Sequence, residues 1–151
     1  MKNLGLLLAV LLVTAQTSLA QVATATAIKA SIERETQSWL NVDAKTWAGC
    51  WANVPEARLH YSETNGKVHQ IKMPEGMAKM LANQKPSKAT FKNTNYQIRV
   101  KGDAAFAQFD QEFSNTDGSK EYARETRYLE KDGAGAWKIV HVGAMYYQPA
   151  R

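Results

Sequence analysis

The sequence predicts an α+β fold. Two observations carry this. Apolar residues recur at helical spacing in the first part of the chain, and strand-like runs separated by turn signals fill the rest. Ile28, Ile32, Trp39 and Leu40 make the apolar stripe of an amphipathic helix over about 28–41, with Lys29, Glu33, Arg34, Glu35 and Gln37 on the other side. Asp43 is placed to cap a short second helix in DAKTWAGCWA, because its side chain can accept from the backbone of the next turn; Pro55 closes that segment. ARLHYSE, residues 57–63, alternates like a strand, and Asn65-Gly66 marks a turn. MPEGMAKMLANQ puts Met73, Met77, Met80 and Leu81 on one helical face, with Pro74 in its first turn. Runs at 94–101, 104–113, 120–131 and 136–147 then read as strands divided by Gly102-Asp103, Asp117-Gly118 and Gly133-Ala134-Gly135.

The first twenty residues carry a different message. Lys2, an uncharged apolar run from Leu4 to Val13, and the close Ser18-Leu19-Ala20 follow the order of a secretory signal peptide. The apolar run is shorter than the roughly 20 residues a membrane-spanning helix needs. Cleavage after Ala20 is expected, with export to the periplasm or medium, no membrane attachment afterwards, and a single domain over 21–151. The formal charge of +5 falls to +4 without Lys2, and the basic residues are scattered, so no nucleic-acid stripe is present. Cys50 is the only cysteine, which excludes an internal disulfide; between Trp47 and Trp51 it reads as a small buried hydrophobe.

The order of elements resembles the nuclear transport factor 2 superfamily, the cone-shaped fold of ketosteroid isomerase, scytalone dehydratase and SnoaL-like cyclases. The closest local pattern is Glu125-Thr126-Arg127, then a glycine turn, then Trp137-Lys138-Ile139-Val140-His141. It is similar to the E-T-R … D-G-x-W-x-x-V-H run of the calcium/calmodulin-dependent protein kinase II association domain. The turn DGAGA is about one residue longer here, and Gly143 stands where that group has a second histidine. The resemblance implies a curved sheet wrapped around helices, and places Arg127 in the resulting pocket, where the kinase domain's arginine helps bind small carboxylates. Aligning Gly102-Asp103-Ala104-Ala105 turns Phe109 and Gln111 inward and Asp110 outward.

Strand alternation about a turn at 133–135 sets Arg127 opposite His141 and Leu129 opposite Ile139, with Glu125 on the same face. An inward guanidinium cannot lose its charge, so it needs an anionic ligand or a carboxylate such as Glu125. Both alternatives stand at this point. His141 is a candidate proton carrier, with Glu125, or else a satisfied core residue. Tyr61, Phe109, Gln111 and Trp137 complete the expected ligand-binding wall. There is no H-x-x-x-H or paired-cysteine metal spacing, no G-x-S-x-G and no phosphate-binding glycine loop, so no cofactor is implied. The leading expectation is an exported module binding a small, anionic organic molecule. Cofactor-independent isomerase, dehydratase or hydrolase chemistry and a purely structural oligomerisation role are the alternatives. A homodimer is expected through an outer sheet face holding Tyr128, Val140, Val142 and Tyr146.

Overall fold

In the computed structural model, residues 4–73 and 75–149 are described, with side chains for all of these except residues 4–19, Met77 and Ala78. The signal-peptide reading of residues 1–20 therefore falls almost wholly outside the described side chains, as do the expected roles of Pro74 and Met77. Among the described residues no helix is long and apolar enough to cross a membrane.

Helix α1 runs Leu4–Leu40, so the helix extends well before residue 28. The lead QVATATA continues the helix, with the Thr24 and Thr26 hydroxyls donating to the carbonyls of Ala20 and Val22, one turn back. The helix ends in a Schellman closure, with Val42 N–H donating to Trp39 O at 3.1 Å and Asp43 N–H to Ser38 O at 2.9 Å. Val42 takes the left-handed position (φ 56°) that glycine usually fills. Asp43 then caps α2, Ala44–Cys50, by accepting from Thr46 N–H. This two-residue reversal aims Trp39 and Trp47 at the same space.

Six strands follow: β1 Arg58–Ser62, β2 Val68–Lys72, β3 Thr90–Lys101, β4 Ala104–Ser114, β5 Lys120–Lys131 and β6 Trp137–Tyr147, with a short helix α3, Met77–Leu81, between β2 and β3. The sheet order is β2-β1-β6-β5-β4-β3. All neighbours are antiparallel except β1 and β6. Strand β2 was not expected from the sequence; VHQIK pairs with β1 across the Asn65-Gly66 turn. Strand β3 begins four residues earlier than its apolar pattern suggests, and its register shifts between Thr94 and Gln97, where Asn95 takes a positive φ of 55°.

The core lies between α1, α2 and the concave face of the sheet. Ile28, Ile32, Trp47, Cys50, Phe109, Leu129 and Ile139 are essentially inaccessible. Cys50 is thus structural: burial pushes its thiol above the ordinary range, away from the reactive thiolate.

Candidate functional site

Alternation along β5 turns Ala123, Glu125, Arg127 and Leu129 inward and buries all four. Leu129 lies opposite Ile139, as expected. The next pair does not follow. The register shifts between Tyr128 and Leu129, leaving Val140 as the extra residue of a bulge, so Tyr128 faces His141 and Arg127 faces Val142. The bulge has a local anchor: the chain leaving α2 pairs with β6 at this point, Ala52 N–H donating to Ile139 O at 2.8 Å.

This single residue reverses two expectations. His141 sits on the outer face, not beside Arg127, and is withdrawn as a proton carrier for the concave site. Its Nε2 shares a 2.8 Å hydrogen bond with His60 Nδ1 of β1. Burial first, then the neighbouring His60, holds its pKa below the ordinary value. Val142 moves the other way, into the concave face, and Tyr146 follows it, while Val140 is buried. The expected outer face is therefore wrong in three of four residues. Tyr128 (36% exposed) stays there, joined by Phe106 (44%) and Met145 (60%).

A cavity of about 570 Å³ opens between α1, α2, β1 and the inward rows of β4, β5 and β6. That is within the roughly 300–1,000 Å³ typical of small-molecule sites. Its floor is a buried charge cluster. Arg127 donates through Nη1 to Glu125, and its Nη2 stands 3.7 Å from Glu35 of α1. Glu35 also accepts from the indole of Trp47 at 2.6 Å. Side-chain exposures of 4% for Arg127, 3% for Glu125 and 9% for Glu35 place all three away from bulk water.

One guanidinium faces two carboxyl groups, so the cluster is one positive charge short whenever both are ionised. Burial pushes the Glu125 carboxyl above the usual range, against the pull of Arg127. Burial also opposes the Arg127 charge, but Glu125 and Glu35 together more than restore it. Of the two alternatives for Arg127, the carboxylate partner is present: Glu125 accepts from Nη1 and Glu35 stands beside Nη2. Beside the cluster, burial raises the Tyr146 phenol to about 12, with Glu125 and Glu121 adding to the shift, so its hydroxyl stays neutral.

Of the other expected site residues, Tyr61 and Gln111 line the cavity. Tyr61 is held by stacking on His69, ring centroids 4.4 Å apart. Gln111 is fixed by donating to Asn93 at 2.9 Å. Phe109 lies outside the cavity wall and serves as a platform, its ring centroid 5.5 Å from the Arg127 guanidinium carbon. Trp137 is corrected to a core residue: it is 6% exposed, does not line the cavity, and its carbonyl accepts from Ser31. Asp110 faces outward, paired with Arg124 and Asn95.

Glu35 is the residue that sequence reasoning missed. It was assigned to the polar side of α1. Yet 28, 32, 35 and 39 form an unbroken helical stripe, and a carboxylate within an apolar stripe is the signal that identifies it.

No family model matches this sequence, and no curated protein matches it. Solved structures do match. A nuclear transport factor 2-like protein with a cystatin-like fold from Novosphingobium aromaticivorans superposes with a TM-score of 0.69 at 15% identity, over 89% of this chain and 88% of that one. The association domain of C. elegans CaMKII gives 0.68 at 18% identity, over 83% and 97%. A putative ketosteroid isomerase from Parabacteroides distasonis gives 0.59 at 13%, over 78% and 86%.

Proposed function

Proceeding from the nuclear transport factor 2-like fold of this chain, we propose that the protein binds a small organic molecule in the cavity between its helices and the concave sheet face. The observation that supports this most directly is the roomy cavity with a polar floor and aromatic walls. A purely structural module has no need of such a space, since unfilled volume forfeits packing energy. The fold also hosts enzymes, so it does not decide between binding and catalysis. Glu125, whose carboxyl burial pushes above the usual range, is the residue that catalysis would draw on.

Filling the cavity tests the binding reading. N-phenyl-1-naphthylamine, a neutral apolar dye, should brighten on titration with the protein. It should not brighten with the variant Ala144→Trp, which builds bulk into the cavity wall. Equal response from both proteins, or from neither, would remove the reading.

Residues 1–20 act, in this proposal, as an export signal, and intact mass of material from the periplasm or medium should begin at Gln21. The mature chain forms a homodimer through the outer face carrying Phe106 and Tyr128. Sedimentation at micromolar concentration should show the dimer, and Tyr128→Glu should shift it to monomer.

A further inference from the structure

We propose that the ligand of this cavity is an organic cation: a protonated or quaternary amine carrying an apolar group. The inference rests on the binding reading above and adds the charge and chemical class of what is bound.

The first support is the charge of the walls. Four glutamates line the cavity, Glu35, Glu63, Glu121 and Glu125, and among the described residues Arg127 is the only lysine or arginine there. The whole chain, by contrast, has a formal charge of +5. The cavity is thus acidic inside a basic protein, and a concave low-dielectric space concentrates that local field. Glu63 keeps its charge, because hydrogen bonds from His69 and Asn65 hold its carboxyl below the usual range.

The second support is the pairing at the floor. Arg127 is engaged by Glu125 through Nη1 and lies 3.7 Å from Glu35, so its charge is met by carboxylates of the protein, while its buried Nε–H has no hydrogen-bond partner. An entering anion would meet an excess of carboxylate. An entering cation balances the second carboxyl group when both are ionised.

The third is the aromatic lining. Trp39, Trp47, Tyr61, Phe113 and Tyr146 wall the same cavity, and Tyr122 and Tyr147 stand at the strand ends with ring centroids 6.1 Å apart. Ring faces attract cations, most strongly when both are out of water, and also pack against an apolar substituent. Carboxylates together with aromatic faces suit an organic ammonium. A neutral ligand leaves the carboxylates unused, and a bare inorganic cation leaves the rings unused.

Three probes of similar size separate these cases: benzyltrimethylammonium, its neutral isostere neopentylbenzene, and the anion 3-phenylpropionate. Calorimetric titration should show the cation binding about ten-fold tighter than the neutral isostere, or better, with the anion weakest. Added salt should weaken the cation alone. The double variant Glu63→Gln with Glu121→Gln should collapse the cation's advantage. Equal affinity for cation and isostere, or preference for the anion, would overturn the inference while the naphthylamine dye still reports a working cavity. Failure of the dye and all three probes would overturn the binding reading together with it.

Discussion

Two arginines three residues apart on β5 each pair with a carboxylate, on opposite sides of the sheet. Arg127 pairs with Glu125 on the concave face, their side chains 4% and 3% exposed; Arg124 pairs with Asp110 on the outer face, at 49% and 19%. The chemistry is the same and the consequences differ. Inside, two carboxylates compete for one guanidinium in a space that penalises any unmatched charge. Outside, water screens the pair and either partner can be lost cheaply. Burial, not residue type, makes the concave pair costly to break and leaves the outer pair as surface.

Substituting each arginine by methionine sets the contrast at its largest. Arg127→Met strands two buried carboxylates and should cost about 3–5 kcal/mol in denaturant unfolding. Arg124→Met should cost about 1 kcal/mol or less. Adding Glu125→Gln to Arg127→Met should recover much of the loss. Similar losses from the two arginines would break the comparison.

The two carboxylates should also respond to pH in opposite senses. Hydrogen bonding from Asn95, and then from Arg124, holds Asp110 below its usual range. Its stabilising contribution is therefore full above the unfolded pKa of about 3.8 and is lost as pH falls through the lower folded value. Glu125 is raised, so its contribution is present below about 4.5 and is lost as pH rises through the folded value. Unfolding curves across pH 3–8 should accordingly show Asp110→Asn closing on the wild type in acid. Glu125→Gln should gain on the wild type toward neutral pH. The same slope for both variants would contradict the account.

The smallest effect belongs to the His60–His141 contact. His141 is held below its ordinary value, so the folded protein prefers it neutral. Its contribution is whole above about pH 6.5 and declines as pH falls. His141→Gln should flatten that decline slightly, and a steeper decline in the variant would refute the assignment.

Much of this contrast was legible in the sequence. Period-two alternation placed Glu125 and Arg127 together and put Asp110 on the other side, and Asp43 marked its helix start. His141 and Val142 were not legible, because a one-residue bulge reverses every later side chain on its strand. The contact that anchors it, between Ala52 and Ile139, joins residues far apart in sequence. Strand β2 escaped because its five residues at a sheet edge alternate between exposed and half-buried and carry little apolar signal. Glu35 is readable from its place in the helical stripe, although its charge groups it with the polar side of α1.

The claim that the concave face is the ligand site is tested most directly by two-dimensional amide and indole NMR of the labelled protein during titration with benzyltrimethylammonium. The indole N–H of Trp47 donates to Glu35 at the cavity floor and reports on that cluster itself. The expected result is movement of the Trp47 indole signal with the amides of Gln111, Glu125, Arg127 and Tyr146, while His60, Arg124 and Tyr128 stay still. Shifts confined to the outer face, or none at saturating probe, would contradict it.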